Sequence, residues 1–513
     1  MTVLPDANRT LRAQRPSMRS ADSRVMRTRT ALAIAVCLIS ACATNPVTGK
    51  RQFSLMSEAQ EIQIGQQQDA EVRREMGVYG DRALQQYVST VGLKLAHVSE
   101  RPNLPWHFTV VDVPAINAFA LPGGYIYITR GILAFLDNEA QLAGVLGHEI
   151  GHVTARHAAQ QYSRATGAEL GLILGTILLP ETRPFAQLGE ASLGLLFLKY
   201  GRDDELQADS LGVKYAARAG WDPEGVPQML TTLGRIEEAS DNRGVPNWLS
   251  THPNPENRVE KVRAAVAEAE RTGVRGGEAG RSAESLGLQR EEYLRRIDGI
   301  VHGDNPDQGV VRGASFLHAG LRFALEFPQD WAVTNAPTQV VARSPRENTL
   351  MLLQLVQQPV GRTLEEVALR SMANAGFRAA SGGRTSLNGL DAFVGTYEGS
   401  LQNVGRVVVR AAHVAHERNI FLIAGIAPPA TYDRDEPAFT RSIASFRPLT
   451  RAEAEAIRPN RIDLYTARAG DTWQALAERN GGVAKASTLA IMNGHAVNDQ
   501  PRPGERLKIV VGG

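Results

Sequence analysis

Residues 148–152 read His-Glu-Ile-Gly-His. Within a helical stretch over 140–159, positions i and i+4 fall on one face about one turn apart. Two imidazoles, His148 and His152, can therefore converge on one zinc while Glu149 faces the water that zinc activates. A catalytic zinc needs a third protein ligand and an open fourth position. Residues 202–209 (RDDELQAD) offer Glu205, with Asp209 on the same helix face. Asp209 can accept the second N–H of a ligand histidine and so fix its tautomer. On the residues alone, this acidic run reads equally well as the solvated start of a helix.

Those side chains need elements to carry them. Helical spacing runs over 57–76 and 81–99, the latter with Leu84, Val88, Val91 and Leu95 on one stripe. Further helices are expected over 138–161 and 203–218. Alternation predicts strands over 108–113 and 125–129, with Leu121-Pro122-Gly123-Gly124 as the turn between them. On a continuous helix His157 would lie about 140° round from His152, a poor ligand position, and it reads as structural. The apolar segments 167–179 and 193–198 are too short to span a bilayer. They read as buried helices flanking a cleft, with a membrane-touching lid as the alternative.

Composition shifts at 270–282, a Gly- and Arg-rich boundary, and a short helix over 289–300 follows. The next unit is β-rich, with strands over 321–327, 340–343, 350–357, 392–398, 407–414 and 419–426 and a helix over 364–375, which makes an α+β domain. A linker helix over 451–458 leads to a last small unit. The expected division is a leader over 1–41, a zinc-site domain over 42–275, a linker with a short helix over 276–308, an α+β accessory domain over 309–450, and a small module over 460–513.

The chain carries 56 Lys+Arg against 54 Asp+Glu. Residues 1–41 hold seven Arg against Asp6 and Asp22, so the rest of the chain is slightly acidic. A broad basic surface for nucleic acid is thereby excluded. Cys37 and Cys42 are the two cysteines, too few for a disulfide framework or a CxxC metal site. Arg27 and Arg29, the apolar run 31–39 and Ser40-Ala41-Cys42 together read as a secretory signal. Ile39-Ser40-Ala41-Cys42 resembles a bacterial lipobox, which implies cleavage before Cys42 and its acylation. By resemblance to lipoprotein sorting, Ala43 after it favours the outer membrane.

The combination of His148-Glu149-Ile150-Gly151-His152 with Glu205-Leu206-Gln207-Ala208-Asp209 resembles the zinc metalloproteases of the CAAX prenyl protease/BepA-like gluzincin family. Asn45-Pro46-Val47-Thr48-Gly49, the run from Asn117 and Ala118 to Gly124, Arg202, and Thr251-His252-Pro253 with Arg258 strengthen the likeness, which spans about residues 43–270. The resemblance implies a mostly helical zincin-type peptidase domain with a small sheet. It implies one Zn per chain held by His148, His152 and Glu205, with Glu149 as general base. His252 is then expected near the metal, either stabilising the oxyanion or plugging the fourth position. Asn117, Ala118, Tyr125 and Arg258 are expected to meet substrate, with orientation of the His252 loop as the alternative for Arg258 and the strand over 125–128 as the edge that pairs with substrate.

Residues 465–511 resemble a LysM module, a βααβ unit, which implies contact with peptidoglycan. The unit over 310–448 resembles, faintly, the PsbP-like α+β fold. The expected function is a lipid-anchored periplasmic endopeptidase acting on unfolded or misassembled envelope proteins. A tethered envelope chaperone or scaffold with a latent or structural zinc site is the alternative. A peptidoglycan hydrolase ranks below both, because wall amidases present other zinc signatures.

Overall fold

The computed structural model describes residues 42–54, 56–164, 200–239, 248, 252, 257–272, 289–346, 348–401 and 404–513. The leader over 1–41 and the apolar segments 167–179 and 193–198 lie outside the described residues.

Strand β1 (Cys42–Thr44) pairs antiparallel with β2 (Arg51–Phe53). Helix α1 (Glu58–Met76) opens on a capping box in which Ser57 and Gln60 satisfy each other's backbone N–H. Asp81 caps α2 (Arg82–His97), whose Leu84, Val88, Val91 and Leu95 form the expected buried stripe. Strands β3 (His107–Val111), β4 (Ala118–Leu121) and β5 (Tyr125–Thr129) form one sheet in the order β3-β5-β4. The strand expected at the edge, β5, is therefore central, parallel to β3 and antiparallel to β4. The outer strands are β3, bridged on its far side by Val78 to Val111, and β4.

Helix α3 (Arg130–Phe135) leads into α4 (Glu139–Thr154), which is capped by Asn138 and buried at every position, its polar residues Glu139, Gln141, His148, Glu149 and His152 included. The helix expected to run on to 161 stops at Thr154. Arg156 takes a left-handed φ of 62°, and helix resumes over 157–164. Left-handed backbone costs a non-glycine residue about 1–2 kcal/mol. Here the Arg156 guanidinium reaches Glu61 and the Met56 carbonyl, both at 2.5 Å, and those buried bonds offset it.

Helices α5 (Arg202–Ala219), α6 (Gly225–Ala239) and α7 (Arg258–Arg271) complete the helical layer. Among the described residues no helix is long and apolar enough to cross a membrane. The described part of the segment expected as a linker, from residue 289 on, packs into the core. Helix α8 (Arg290–Ile297) buries Tyr293, Leu294 and Ile297, and the Tyr293 hydroxyl donates to the Leu133 carbonyl at 2.6 Å. Strand β6 (Val301–His302) then pairs with the C-terminal module.

The accessory unit holds β7 (Val310–Arg312), β8 (Ser315–His318), β9 (Phe323–Glu326), β10 (Ala332–Ala336), β11 (Gln339–Arg343), β12 (Leu350–Leu355), α9 (Leu364–Asn374), β13 (Arg378–Leu387), β14 (Leu390–Leu401), β15 (Gly405–His416), β16 (Asn419–Ala427), α10 (Pro429–Ala444) and β17 (Arg447–Pro448). Seven strands form an antiparallel sheet in the order β10-β11-β12-β16-β15-β14-β13. The small sheet β17-β9-β8-β7 and α10 cover one face of it, and α9 covers the other. This is mixed α+β architecture.

After α11 (Arg451–Glu455), the module runs β18 (Asn460–Thr466), α12 (Trp473–Arg479), α13 (Ala486–Met492) and β19 (Arg506–Val511), a βααβ order. One hydrophobic core joins it to the helical domain, with Trp473, Leu489, Met492 and Leu507 in the same cluster as Ile132, Leu133 and Leu136. Fully buried Lys508 on β19 donates to the Leu136 carbonyl at 2.5 Å and pairs with Asp137 at 3.1 Å, directly before the cap of α4. Burial pulls the Lys508 pKa down to about 8. Breaking a buried pair from one side strands its partner. Lys508→Met should thus lower stability by about 3 kcal/mol in urea unfolding; a loss within about 0.5 kcal/mol would mean the pair contributes little to docking.

Candidate metal centre

Helices α4 and α5 cross at unusually short range, and small residues permit it. A Cβ built on Gly147 would sit 3.1 Å from the Gly212 Cα, and one on Gly151 would sit 3.0 Å from the Ala208 carbonyl oxygen. With no side chains in the crossing, Glu205 and Asp209 of α5 reach His148 and His152 of α4. His148, His152, Glu205 and His252 offer donor atoms that all lie within 4.8 Å of one another, and all four side chains are buried.

Each ligand histidine is oriented from behind. His148 Nδ1 lies 2.8 Å from Asp209 Oδ1, so its N–H is committed there and the Nε2 lone pair points inward. His152 Nδ1 lies 2.9 Å from His157 Nδ1, and His157 Nε2 lies 2.9 Å from Gln207 Oε1. With the glutamine oxygen accepting, His157 donates through Nε2 and accepts at Nδ1. His152 then carries its proton on Nδ1 and presents a bare Nε2. Burial lowers the pKa of both His148 and His152, favouring neutral rings.

The two Nε2 atoms stand 3.0 Å apart, and Glu205 oxygens lie 3.4 Å from His152 Nε2 and 3.6 Å from His148 Nε2. Two lone pairs and a carboxylate facing one another in a buried space repel unless a cation joins them. Nitrogen and oxygen donors in this set suit zinc. Glu149 strengthens the fit. It is fully buried, and neither carboxylate oxygen has a hydrogen-bond partner among the described residues. Burial raises its pKa to about 7, placing it where a carboxylate both takes and gives a proton near neutrality.

His252 comes to the donors as expected. Its Nδ1 lies 3.0 Å from Glu205 Oε1 and 3.3 Å from His148 Nε2, and its Nε2 lies 3.6 Å from Glu149 Oε1. Trp248 stacks on its ring at 4.1 Å. Arg258 does not fit the expected contact with substrate. Its fully buried guanidinium donates to both Asp209 oxygens at 2.7 and 2.9 Å and reaches Glu205 at 3.0 Å. Burial pushes Asp209 upward, but the adjacent Arg258 outweighs that and holds it below its usual range. Arg258 is therefore the counter-charge behind the donors.

Tyr125 is buried in the central strand and stacks on His107 at 4.5 Å, away from any sheet edge. Half-buried Asn117 and buried Ala118 stand at the start of edge strand β4, where the Asn117 side chain accepts the Ala118 N–H at 2.9 Å. Cys42 lies on β1. Sequence reasoning missed three partners: His157, Gln207, and Tyr200, which stacks on His152 at 3.8 Å. Gln207 sits in the Glu205–Asp209 run, two residues from each carboxylate, and that position was its only signal.

Asp209→Asn keeps the shape of the Asp209 side chain and removes its charge. Zinc affinity, read by competition with a chromogenic chelator, should fall about 10–100-fold. Wild-type affinity in the variant would mean that Asp209 does not tune His148.

Residues 82–266 match the model of Peptidase family M48. The beta-barrel assembly-enhancing protease of Escherichia coli K12 is 34% identical over 230 residues, covering 43% of this chain and 46% of that one. The mitochondrial metalloendopeptidase OMA1 of Schizosaccharomyces pombe is 32% identical over 235 residues, covering 44% of this chain and 66% of that one. The chain thus spans about half the length of the bacterial relative. Among solved structures, cyanobacterial PsbP from Synechocystis is 13% identical over 27% of this chain and 95% of that one, with a TM-score of 0.22. Every residue of the centre, from His148 to Arg258, lies inside the stretch that is similar to Peptidase family M48, and the donor set there could hold a metal ion.

Proposed function

We propose that the chain is a zinc-dependent endopeptidase of the bacterial envelope, with His148, His152 and Glu205 as zinc ligands, Glu149 as general base and Asp209 as the positioning partner of His148. One observation carries this reading: Glu149 is buried beside the donor set, neither oxygen has a hydrogen-bond partner among the described residues, and burial raises its pKa to about 7. A structural zinc site has no use for such a carboxylate, which disfavours the scaffold alternative.

Zinc, when bound, supplies the Lewis acidity that polarises the scissile carbonyl and acidifies water. The outer strand β4 lies against α4, and its backbone groups that point away from β5 are the ones an extended substrate would pair with. Main-chain pairing of this kind reads extended backbone more than side chains, which suits unfolded or misassembled proteins. Glu149 takes a proton from the attacking water and delivers it to the departing amine. Glu149→Gln should abolish casein hydrolysis, a loss of at least about 10³-fold, while zinc content and melting temperature hold. Persistent cleavage in that variant would remove Glu149 from the base role.

His252 occupies a position among the donors that suits a reversible plug of the fourth site. On that reading His252→Ala raises basal casein cleavage several-fold. A drop in kcat instead would assign His252 to the oxyanion, since removing one such donor costs about 10²–10³-fold.

The wider assignment is part of the same proposal: cleavage before Cys42, acylation of that residue, periplasmic location at the outer membrane, and clearance of faulty envelope proteins. The small C-terminal βααβ unit is read as a LysM-like contact to peptidoglycan, and the unit over 309–450 as a PsbP-like docking domain. Its relatives' printed roles, in beta-barrel assembly and as metalloendopeptidases, are in keeping with that setting.

A further inference from the structure

The accessory unit contains a cleft that the peptidase chemistry does not use. It lies between the β10–β11 hairpin, the end of β12 and the β8–β9 hairpin, and holds about 400 Å³ including its mouth. Most of that volume is the open mouth, so any guest must be small. Its lining is unusual in charge: no Asp, Glu, Lys or Arg contributes to it. Four glutamines, Gln308, Gln339, Gln354 and Gln357, stand above an apolar floor of Phe316, Phe323 and Phe421.

The remaining polar groups are set in fixed roles. His318 Nδ1 accepts the Leu321 N–H at 3.2 Å, so the neutral ring carries its proton on Nε2 as a donor. Burial holds the pKa of His318 down to about 4, so the ring is uncharged near neutrality. Asn335 commits its amide N–H groups to the carbonyls of Gln308 and Gly309 at 3.1 and 2.9 Å, leaving Oδ1 as an acceptor with no partner among the described residues. Gln339 and Gln354 are direct cross-strand partners. Two neighbouring amides each donate and accept, which matches a ligand whose own groups also do both.

This chemistry discriminates. An anion or a metal ion would enter with no counter-charge, at a cost of several kcal/mol. A purely hydrocarbon guest would displace water from the half-buried Gln308 and Gln354 without replacing its hydrogen bonds. A compact neutral molecule with several hydroxyl or acetamido groups and one apolar face meets both walls. We propose that this cleft binds a neutral saccharide of one or two units, with the glutamine amides and His318 as its hydrogen-bonding wall.

The cleft also touches the peptidase domain. Thr338, in its lining, donates to Glu75 near the end of α1 at 2.9 Å, and the Gln308 amide rests against Gly77. A guest would therefore sit at the joint between the two units.

The test uses the full chain and saturation-transfer NMR with three probes: glucose, N-acetylglucosamine and glucose 6-phosphate. A neutral sugar should give a saturable signal at millimolar concentration, weakened about fivefold or more in Gln339→Leu/Gln354→Leu, with glucose 6-phosphate bound about tenfold more weakly. Both glutamines lie outside the zinc centre, so casein cleavage and melting temperature should match wild type in the double variant. The proposal fails if neither neutral sugar gives a saturable signal, or if the phosphorylated sugar binds as well. It fails too if the signal is unchanged in the folded double variant, which would place sugar binding elsewhere on the chain.

Discussion

Everything at the zinc centre depends on how closely two helices can approach. Gly147 and Gly151 on α4 and Gly212 on α5 remove the side chains that would otherwise hold the axes apart. A valine at any of them would meet backbone, not a flexible side-chain end, and the helices would have to separate. The approach sets the reach of Glu205, a short side chain that must come within 3.6 Å of two imidazoles on the facing helix. It also lets Asp209 stand behind His148 one turn further along α5. Glycine costs helix stability, and burial of α4 on every side offsets that cost.

Closeness alone would assemble an unstable set of charges. Two carboxylates, Glu205 and Asp209, lie buried on one helix face, and only Arg258 and the histidines oppose them. Arg258 meets Asp209 through two donors, a geometry that suits the planar guanidinium and would not suit lysine. A second buried cluster, Glu61 with Arg101 and Arg156, ties α1 to the end of α4, and Arg101 also caps the Val153 carbonyl. That cluster makes Arg156 adopt its left-handed turn, and the turn folds His157 back against His152. The orientation of one zinc ligand thus traces to a glutamate nearly a hundred residues away in sequence.

That dependence explains what could be read from the chain. His148, Glu149 and His152 were legible because their relation is local, one turn of one helix. Glu205 and Asp209 were legible as a pair on one face, but only the family resemblance separated them from an ordinary acidic helix start. His157 stays outside the donor set, as read, but its contact with His152 was not legible, because the break at Arg156 comes from a tertiary contact. The edge role given to Tyr125 failed for a related reason: alternation marks a strand without giving its neighbours, and β4 proved to be the outer one. Helix α10 went unread because Pro437 interrupts a polar run, although Pro429 suits a first turn. The docking of Lys508 on Leu136 joins residues so far apart that no local pattern carries it.

The segment from Trp248 to Arg258 brings these constraints together. The Trp248 N–H bonds to the Ile116 carbonyl at 2.9 Å, just ahead of the outer strand β4, and its ring stacks on His252. At the far end Arg258 is locked to Asp209 by two charge-assisted bonds. Between these anchors, Asn257 takes a left-handed φ of 64°, a conformation asparagine adopts at low cost. The two grips on the site differ in kind. Arg258 stays charged at any working pH and supports the donors from behind, whereas His252 faces them through single contacts made by a titratable ring. Arg258 therefore braces the donor set from behind while His252 faces it from the front, and the stack of His252 on Trp248 links that ring to the strand proposed to receive the substrate.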